Sequence, residues 1–256
     1  RIFLLILFLG LVFPSFIYQG NVVKVYADLQ GNAHVIEEVK LLIDSDESAI
    51  KYDAGMTITN DLTSWRDRTG IDNIVYHVNP ERVAIQNLRI TPQPRRRLSL
   101  INPSYEAKLK IEYDAVGMFN INESRPRTLV YTLKDDALLF KRTKEDEIVL
   151  EEDESFVFIP PKGSRVLNVE PLPPDLDTFD PNLEEYRWYG KTILEDFVIR
   201  YEYEKSLKDE VIEYFDNVRE SFLRFLNSVE FAYVIVGALI VYATYVLLTS
   251  RLKVVQ

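Results

Sequence analysis

From Asn21 to Glu204 short β-branched and aromatic runs alternate with turn residues every 8 to 15 positions, and no long helical stripe interrupts them. The pattern predicts a mainly β body. Asn21 to Leu29 alternates through Val23, Val25 and Ala27, Gln30-Gly31-Asn32 turns the chain, and Ala33 to Ile43 returns as the second arm of a hairpin. Further strands are expected at Asp72 to Val78, Arg82 to Ile90, Tyr105 to Tyr113, Thr128 to Leu133, Ala137 to Lys141, Glu147 to Leu150, Phe156 to Ile159, Arg165 to Val169, Tyr186 to Tyr189 and Phe197 to Tyr203. About twelve strands suit one large β-sandwich or two smaller packed ones, the second case dividing near 120–146. Asn120 to Arg127 and the Pro-rich stretch Pro171 to Pro181 read as loops.

The period changes after Ser206. Leu207, Val211, Tyr214, Val218, Phe222, Phe225 and Val229 recur every three or four residues, with charged residues on the other faces. An amphipathic juxtamembrane helix is therefore expected over 206–230, running into the next segment without a Gly or Pro break. Its stripe would pack on the β body, on copies of itself or on another subunit. Phe231 to Thr249 is uncharged, and 19 residues of helix span about 28 Å, the thickness of bilayer hydrocarbon. This predicts a transmembrane helix over 231–249. Arg251 and Lys253 follow it, so the tail 250–256 is expected in the cytoplasm and the body 21–205 on the extracytoplasmic side of the cell membrane. Tyr233, Gly237, Val241 and Thr244 fall near one face, a pattern that suits packing against another membrane helix. At the other end, Ile2 to Tyr18 is apolar after Arg1, and residues 1–20 read as a signal peptide or a retained N-terminal anchor.

Composition sharpens this division. The 256-residue chain is 47% apolar and 27% charged, yet every charge falls outside the two apolar segments. That partition excludes a polytopic transporter, a disordered chain and an enzyme without membrane contact. The net charge of -10 lies almost wholly on the exterior body, making nucleic acid and anionic lipid poor general partners. There is no cysteine, so stability rests on the core rather than on disulfides. Two Met and five Gln among many Glu and Lys lean toward a thermophile, archaeal source.

Chemical motifs are sparse. Gly190-Lys191-Thr192 lacks the earlier glycine of a phosphate loop and reads as a turn, and GxSxG, HExxH and GxGxxG are absent. His34 and His77 read as ordinary strand residues. Asp175, Asp177 and Asp180, the Glu145-Asp146-Glu147 group and the Glu151 to Glu154 run are oxygen-rich enough for calcium, although a solvated hairpin edge explains the last two. Arg95-Arg96-Arg97 is the one basic run; it either balances neighbouring carboxylates or docks an acidic partner surface or headgroups. Asn122-Glu123-Ser124 is a glycosylation sequon. No catalytic, cofactor-binding or metal-ligating residue and no cofactor is assigned.

Phe156-Val157-Phe158-Ile159-Pro160-Pro161-Lys162-Gly163-Ser164-Arg165-Val166-Leu167-Asn168-Val169-Glu170-Pro171, followed by Tyr186-Arg187-Trp188-Tyr189 and Phe197 to Tyr203, resembles the membrane-proximal sandwich of archaeal single-pass surface proteins. It is also similar to the lumenal domain of ribophorin, and the order of body, helix and anchor resembles S-layer stalk proteins. The likeness covers about 50 residues and carries no functional residue over. It implies a non-enzymatic, membrane-anchored extracytoplasmic protein serving as a structural or accessory subunit of a membrane or cell-surface complex. A surface-layer anchor that self-associates, or a calcium- or solute-binding ectodomain, are the alternatives. Expected partners are the lipid bilayer, other membrane or envelope proteins and further copies of the chain; nucleic acid is not expected.

Overall fold

The computed structural model describes residues 16–58 and 61–254, and within helices the side chains at 58, 209, 210, 213, 214, 217, 230, 232, 234 and 246–254 lie outside the described set. The segment 1–15 also lies outside it, so most of the expected N-terminal signal or anchor does too. Its last residues, 16–20, open strand β1, Phe16–Ala27.

β1 pairs antiparallel with β2, Ala33–Ile43, which pairs with β4, Tyr105–Val116, and β4 pairs with β3, Ala84–Arg97. On its other side β1 lies parallel to β9, Glu154–Ile159, which pairs with β11, Tyr186–Tyr189. The order of this six-stranded sheet is β11-β9-β1-β2-β4-β3. A strict period of two makes it two-faced. Val35, Val39, Leu41 and Ile43 of β2 and Ala107, Leu109, Ile111, Tyr113 and Ala115 of β4 are buried. The alternate positions carry Lys24–Glu38 and Lys110–Glu112 ion pairs on the outer face.

A second sheet has the order β10-β13-β6-β5, from β10 (Arg165–Glu170), β13 (Val198–Glu204), β6 (Thr128–Leu133) and β5 (Phe119–Arg125). Tyr131 and Tyr201 stack across it and donate to the Leu29 and Asp28 carbonyls of the β1–β2 turn, locking the two sheets together. A small third sheet joins β7 (Lys141–Arg142), β8 (Ile148–Val149) and β12 (Ile193–Leu194). The body is mainly β, in sandwich-like layers with one shared core.

Several expectations are corrected. Residues 46–69, read without helix, form α1, Asp46–Ile58, and α2, Leu62–Thr69. Asp61 caps α2 by accepting from the Ser64 amide, and Gly70 ends it in the left-handed conformation with its amide on the Arg66 carbonyl. Trp65 reaches over Gly55, where a β-carbon would stand 2.6 Å from the ring. Asp72 to Val78 is not a strand; only an isolated bridge, Val78 to Leu138, forms there, and the expected strand Ala137 to Lys141 shrinks to its last residue. The loop expected at Asn120 to Arg127 is instead most of β5, an edge strand whose polar side chains face water.

The chain divides into two compact units, ending and beginning at Glu204 and Lys205. The second holds α3, Leu207–Leu226, and α4, Val229–Val254. The expected unbroken passage between them is interrupted: Asn227 and Ser228 leave the helix, and Ser228 Oγ accepts from the Phe231 amide, a serine N-cap that starts a new helix. Among the described residues no helix is long and apolar enough to cross a membrane. The described side chains of α4 end at Tyr245, short of the expected span to Thr249.

Candidate functional site

Around the large sheet, two places stand out against the rule of apolar inside and polar outside. The first is on the inner face of the large sheet. β2 places Glu37 in phase with Val35 and Val39, so its carboxylate is fully buried. Four donors converge on it. The His77 amide and the Tyr113 hydroxyl donate to Oε1 at 2.7 and 2.6 Å, while His77 Nδ1 and Asn21 Nδ2 approach Oε2 at 2.7 and 3.1 Å. Asn21 comes from β1, Tyr113 from β4 and His77 from the loop after α2, so three strands and a loop meet at one carboxylate. Gly20 makes the approach of β1 to the 151–153 loop feasible. Its φ of +128° suits glycine, a β-carbon there would meet the Asp153 carbonyl at 2.2 Å, and the next amide, Asn21, donates to that carbonyl.

The electrostatics follow from burial. Burial alone pushes His77 toward the neutral form, but the Glu37 charge, its hydrogen bond and the Glu154 charge outweigh this and raise His77 above its ordinary value. Glu154, whose Oε1 lies 3.9 Å from His77 Nε2, is itself raised, chiefly by burial. Burial and the Glu37 charge hold the Tyr113 phenol well above its usual range. Carboxylate, imidazole and carboxylate in series could relay a proton. Yet Glu37 has its acceptor sites filled and His77 is packed against Phe140 with ring centroids 4.7 Å apart. The arrangement fixes the 71–78 loop onto the sheet through the four donors on Glu37, although among the described residues Asn21 Oδ1 is buried without a hydrogen-bond partner.

The second place is the β3–β4 connection. Leu100 and Ile101 are 88% and 92% exposed, with Leu98 half exposed beside them. Arg95, Arg96 and Arg97 end β3 at its foot. Arg95 forks onto Asp53 and stacks over the Tyr105 ring, and Arg96 bonds Glu106, so these two balance neighbouring carboxylates. Arg97 turns back to the Ser99 and Leu100 carbonyls.

The other expected contact residues lie apart from both places. Leu207, Val211, Val218, Phe222 and Phe225 on α3 are exposed, Tyr214 has no described side chain, and Gly237 on α4 has open space around it. Thr244 spends its hydroxyl on the Ile240 carbonyl within its own helix. Asn122 is exposed on β5, paired in register with Val130, rather than in a loop. An open cleft of about 370 Å³ collects Asp135, Asp136, Glu145, Asp146, Glu147 and Asp196, with Arg142 paired to Asp136 and Asp146 inside it. Asp175 accepts from Tyr189. Among the described residues no group of three His, Asp or Glu side chains is placed to hold a metal ion.

His34 does lie on a strand, as expected, where it meets Asp114 on the outer face. His77 does not, and the network around it is the feature that strand reading misses. A signal was present: Glu37 occupies a core phase in Ala33-Val35-Glu37-Val39-Leu41-Ile43, and a buried carboxylate demands partners. No family model matches the chain, and no curated protein matches it.

Proposed function

We propose that this chain is a membrane-anchored, extracytoplasmic β-sandwich protein, non-enzymatic, that acts as a structural or accessory subunit of a membrane or cell-surface complex. One observation carries the reading: most of the described apolar side chains of the second unit are exposed. Phe215, Val218, Phe222 and Leu223 on α3 stand out, as do Ile235, Leu239, Ile240 and Val241 on α4. Apolar surface of this extent is costly in water and marks contact with lipid or protein. The uncharged run Phe231 to Thr249, followed by Arg251 and Lys253, supports lipid around α4 with the body outside. The amphipathic α3, with charges such as Arg224 and Glu220 paired along one side, supports a protein neighbour for its apolar side.

Alkaline carbonate extraction followed by gentle detergent solubilisation tests both parts. The chain is expected to stay with the membrane through carbonate and then to co-purify with a partner. Replacing Val218 and Phe222 by Asp is expected to release the partner while leaving the chain in the membrane. Extraction by carbonate overturns the anchor; a monomer after mild detergent overturns the subunit role. A homo-oligomer lost on the same substitutions favours the self-associating surface-layer anchor, for which the exposed α3 stripe is the support.

A further inference from the structure

Asn122-Glu123-Ser124 is an acceptor sequence for an N-linked glycan, and the other Asn-x-Ser of the chain, Asn102-Pro103-Ser104, is closed by its proline. Strand β5 decides how the sequon is presented. Phe119 packs in the shared core and Ile121 pairs with the core residue Tyr131, so the alternate position, Asn122, faces away from the core. Asn122 is exposed, and among the described residues its side-chain amide makes no hydrogen bond. Asparagines on two other strands are spent, Asn21 Nδ2 on Glu37 and Asn87 Nδ2 on Asp114. Ser124 stands apart from the ladder, because the register shifts between Glu123 and Arg125 and leaves it without a partner on β6. It too is exposed, and its hydroxyl reaches the Thr128 carbonyl only at 3.5 Å. The sequon therefore ends where β5 loosens into the turn at 126–127, with a free amide and a weakly held hydroxyl two residues apart.

β5 is also the edge of its sheet. The Phe119 amide donates to the Gly31 carbonyl, but beyond it no described strand lies on the outer side of β5. β3, an edge of the large sheet, is guarded by Pro92, Pro94 and two register shifts. From Phe119 to Glu123, β5 has no proline and keeps one register, which leaves its outer backbone groups open to a foreign strand. Asn122 is the middle residue of this seven-residue strand. A bulky, hydrated group there closes the edge to such pairing without touching the core.

We propose that Asn122 carries an N-linked oligosaccharide that shields the free edge of the second sheet. Asn122 Nδ2 bonds to the anomeric carbon of a lipid-phosphate-linked oligosaccharide; the bond from that carbon to the phosphate oxygen breaks, and the lipid phosphate leaves with the proton that the amide gives up. Nothing is oxidised or reduced. Such acceptors belong to exported segments, so the inference rests on the extracytoplasmic reading. The full chain is isolated from the membranes of its native cells and its tryptic peptide Ile111 to Arg127 is weighed by mass spectrometry. In a parallel sample a membrane-impermeant amine reagent is applied to sealed cells and read at the exposed Lys141 and Lys191. The peptide is expected to carry oligosaccharide mass, to lose it in Asn122→Gln and in Ser124→Ala, and to keep it in Asn120→Gln and in Ser124→Thr. Both lysines are expected to be labelled. Asn122→Gln is expected to aggregate in detergent at a lower protein concentration than the native chain. A bare peptide from a chain with labelled lysines overturns the glycan and leaves the extracytoplasmic reading standing; a bare peptide with lysines labelled only after lysis overturns both. Mass that survives Asn122→Gln, as a sugar on Ser124 does, overturns the assignment to asparagine. Equal aggregation of the two chains overturns the shielding role.

Discussion

Within one sheet the molecule breaks the hydropathy pattern twice, in opposite senses. Glu37 is a buried carboxylate, and Leu100 and Ile101 are exposed hydrocarbon. The first departure is answered inside the chain, by four donors from β1, β4 and the 71–78 loop. The second has no answer in the body: its side chains are not covered. A violation that the fold compensates concerns how the protein stands up; one that it leaves uncompensated concerns what the protein meets. Both have the same cause, local sequence working against the pattern, and only the surroundings separate them.

The widest expected gap between the two places is in stability. Glu37→Ala leaves the His77 amide and imidazole, the Tyr113 hydroxyl and the Asn21 amide facing apolar core, and removing one partner of a buried charged network costs about 3–5 kcal/mol. Denaturant unfolding in detergent measures it. Glu38→Ala, one residue along on the outer face, loses only a 3.4 Å pair with Lys24 and is expected to cost less than about 1 kcal/mol. Equal losses for the two would show that Glu37 is not the clamp. Tyr113→Phe, which removes one of the four donors and keeps the ring, is expected to cost about 1–3 kcal/mol by the same measurement; no change would mean that the hydroxyl bond is immaterial.

Much of this architecture was legible beforehand. β2, β6 and β11 begin and end where period-two alternation places them, because each has one face on the core. The failures have local reasons. In α1 Ala49 and Tyr52 are buried while Ile50 and Met56 are exposed, so its apolar residues circle the helix and draw no stripe. The signals for α2 were the cap residues Asp61 and Gly70, which periodicity ignores. Asp72 to Val78 is apolar because it packs on the core, yet it meets a neighbour only at the Val78–Leu138 bridge, and its His77 amide goes to the Glu37 carboxylate. The β3–β4 tip escaped notice because Arg95 to Arg97 drew attention to charge, whereas the informative residues are the next ones along.

A subtler separation comes from pH. His77 is raised in the folded state, so the folded protein keeps a proton there that the unfolded chain releases above about pH 6.5. Its contribution is complete below that pH and drains away as pH rises through the folded value. Glu154, raised above its ordinary 4.5 mainly by burial, acts in the same direction at more acid pH. The advantage of the native chain over His77→Gln is therefore expected to shrink as pH rises from 6 upward, by at most about 1.4 kcal/mol per pH unit for one proton. An advantage that stays constant or grows would mean that His77 is held neutral.

The smallest effect on stability is expected at the tip, and its smallness is the point. Leu100→Asp with Ile101→Asp removes two large apolar side chains that touch little, so unfolding is expected to change by no more than about 0.5 kcal/mol. A loss of several kcal/mol would show that the tip packs on something within the chain, and would return these residues to the same class as Glu37. A silent substitution leaves the exposed hydrocarbon without a role in folding. An uncovered leucine and isoleucine then have no packing role within the body, although covering each by another surface would be worth about 1.5–3 kcal/mol.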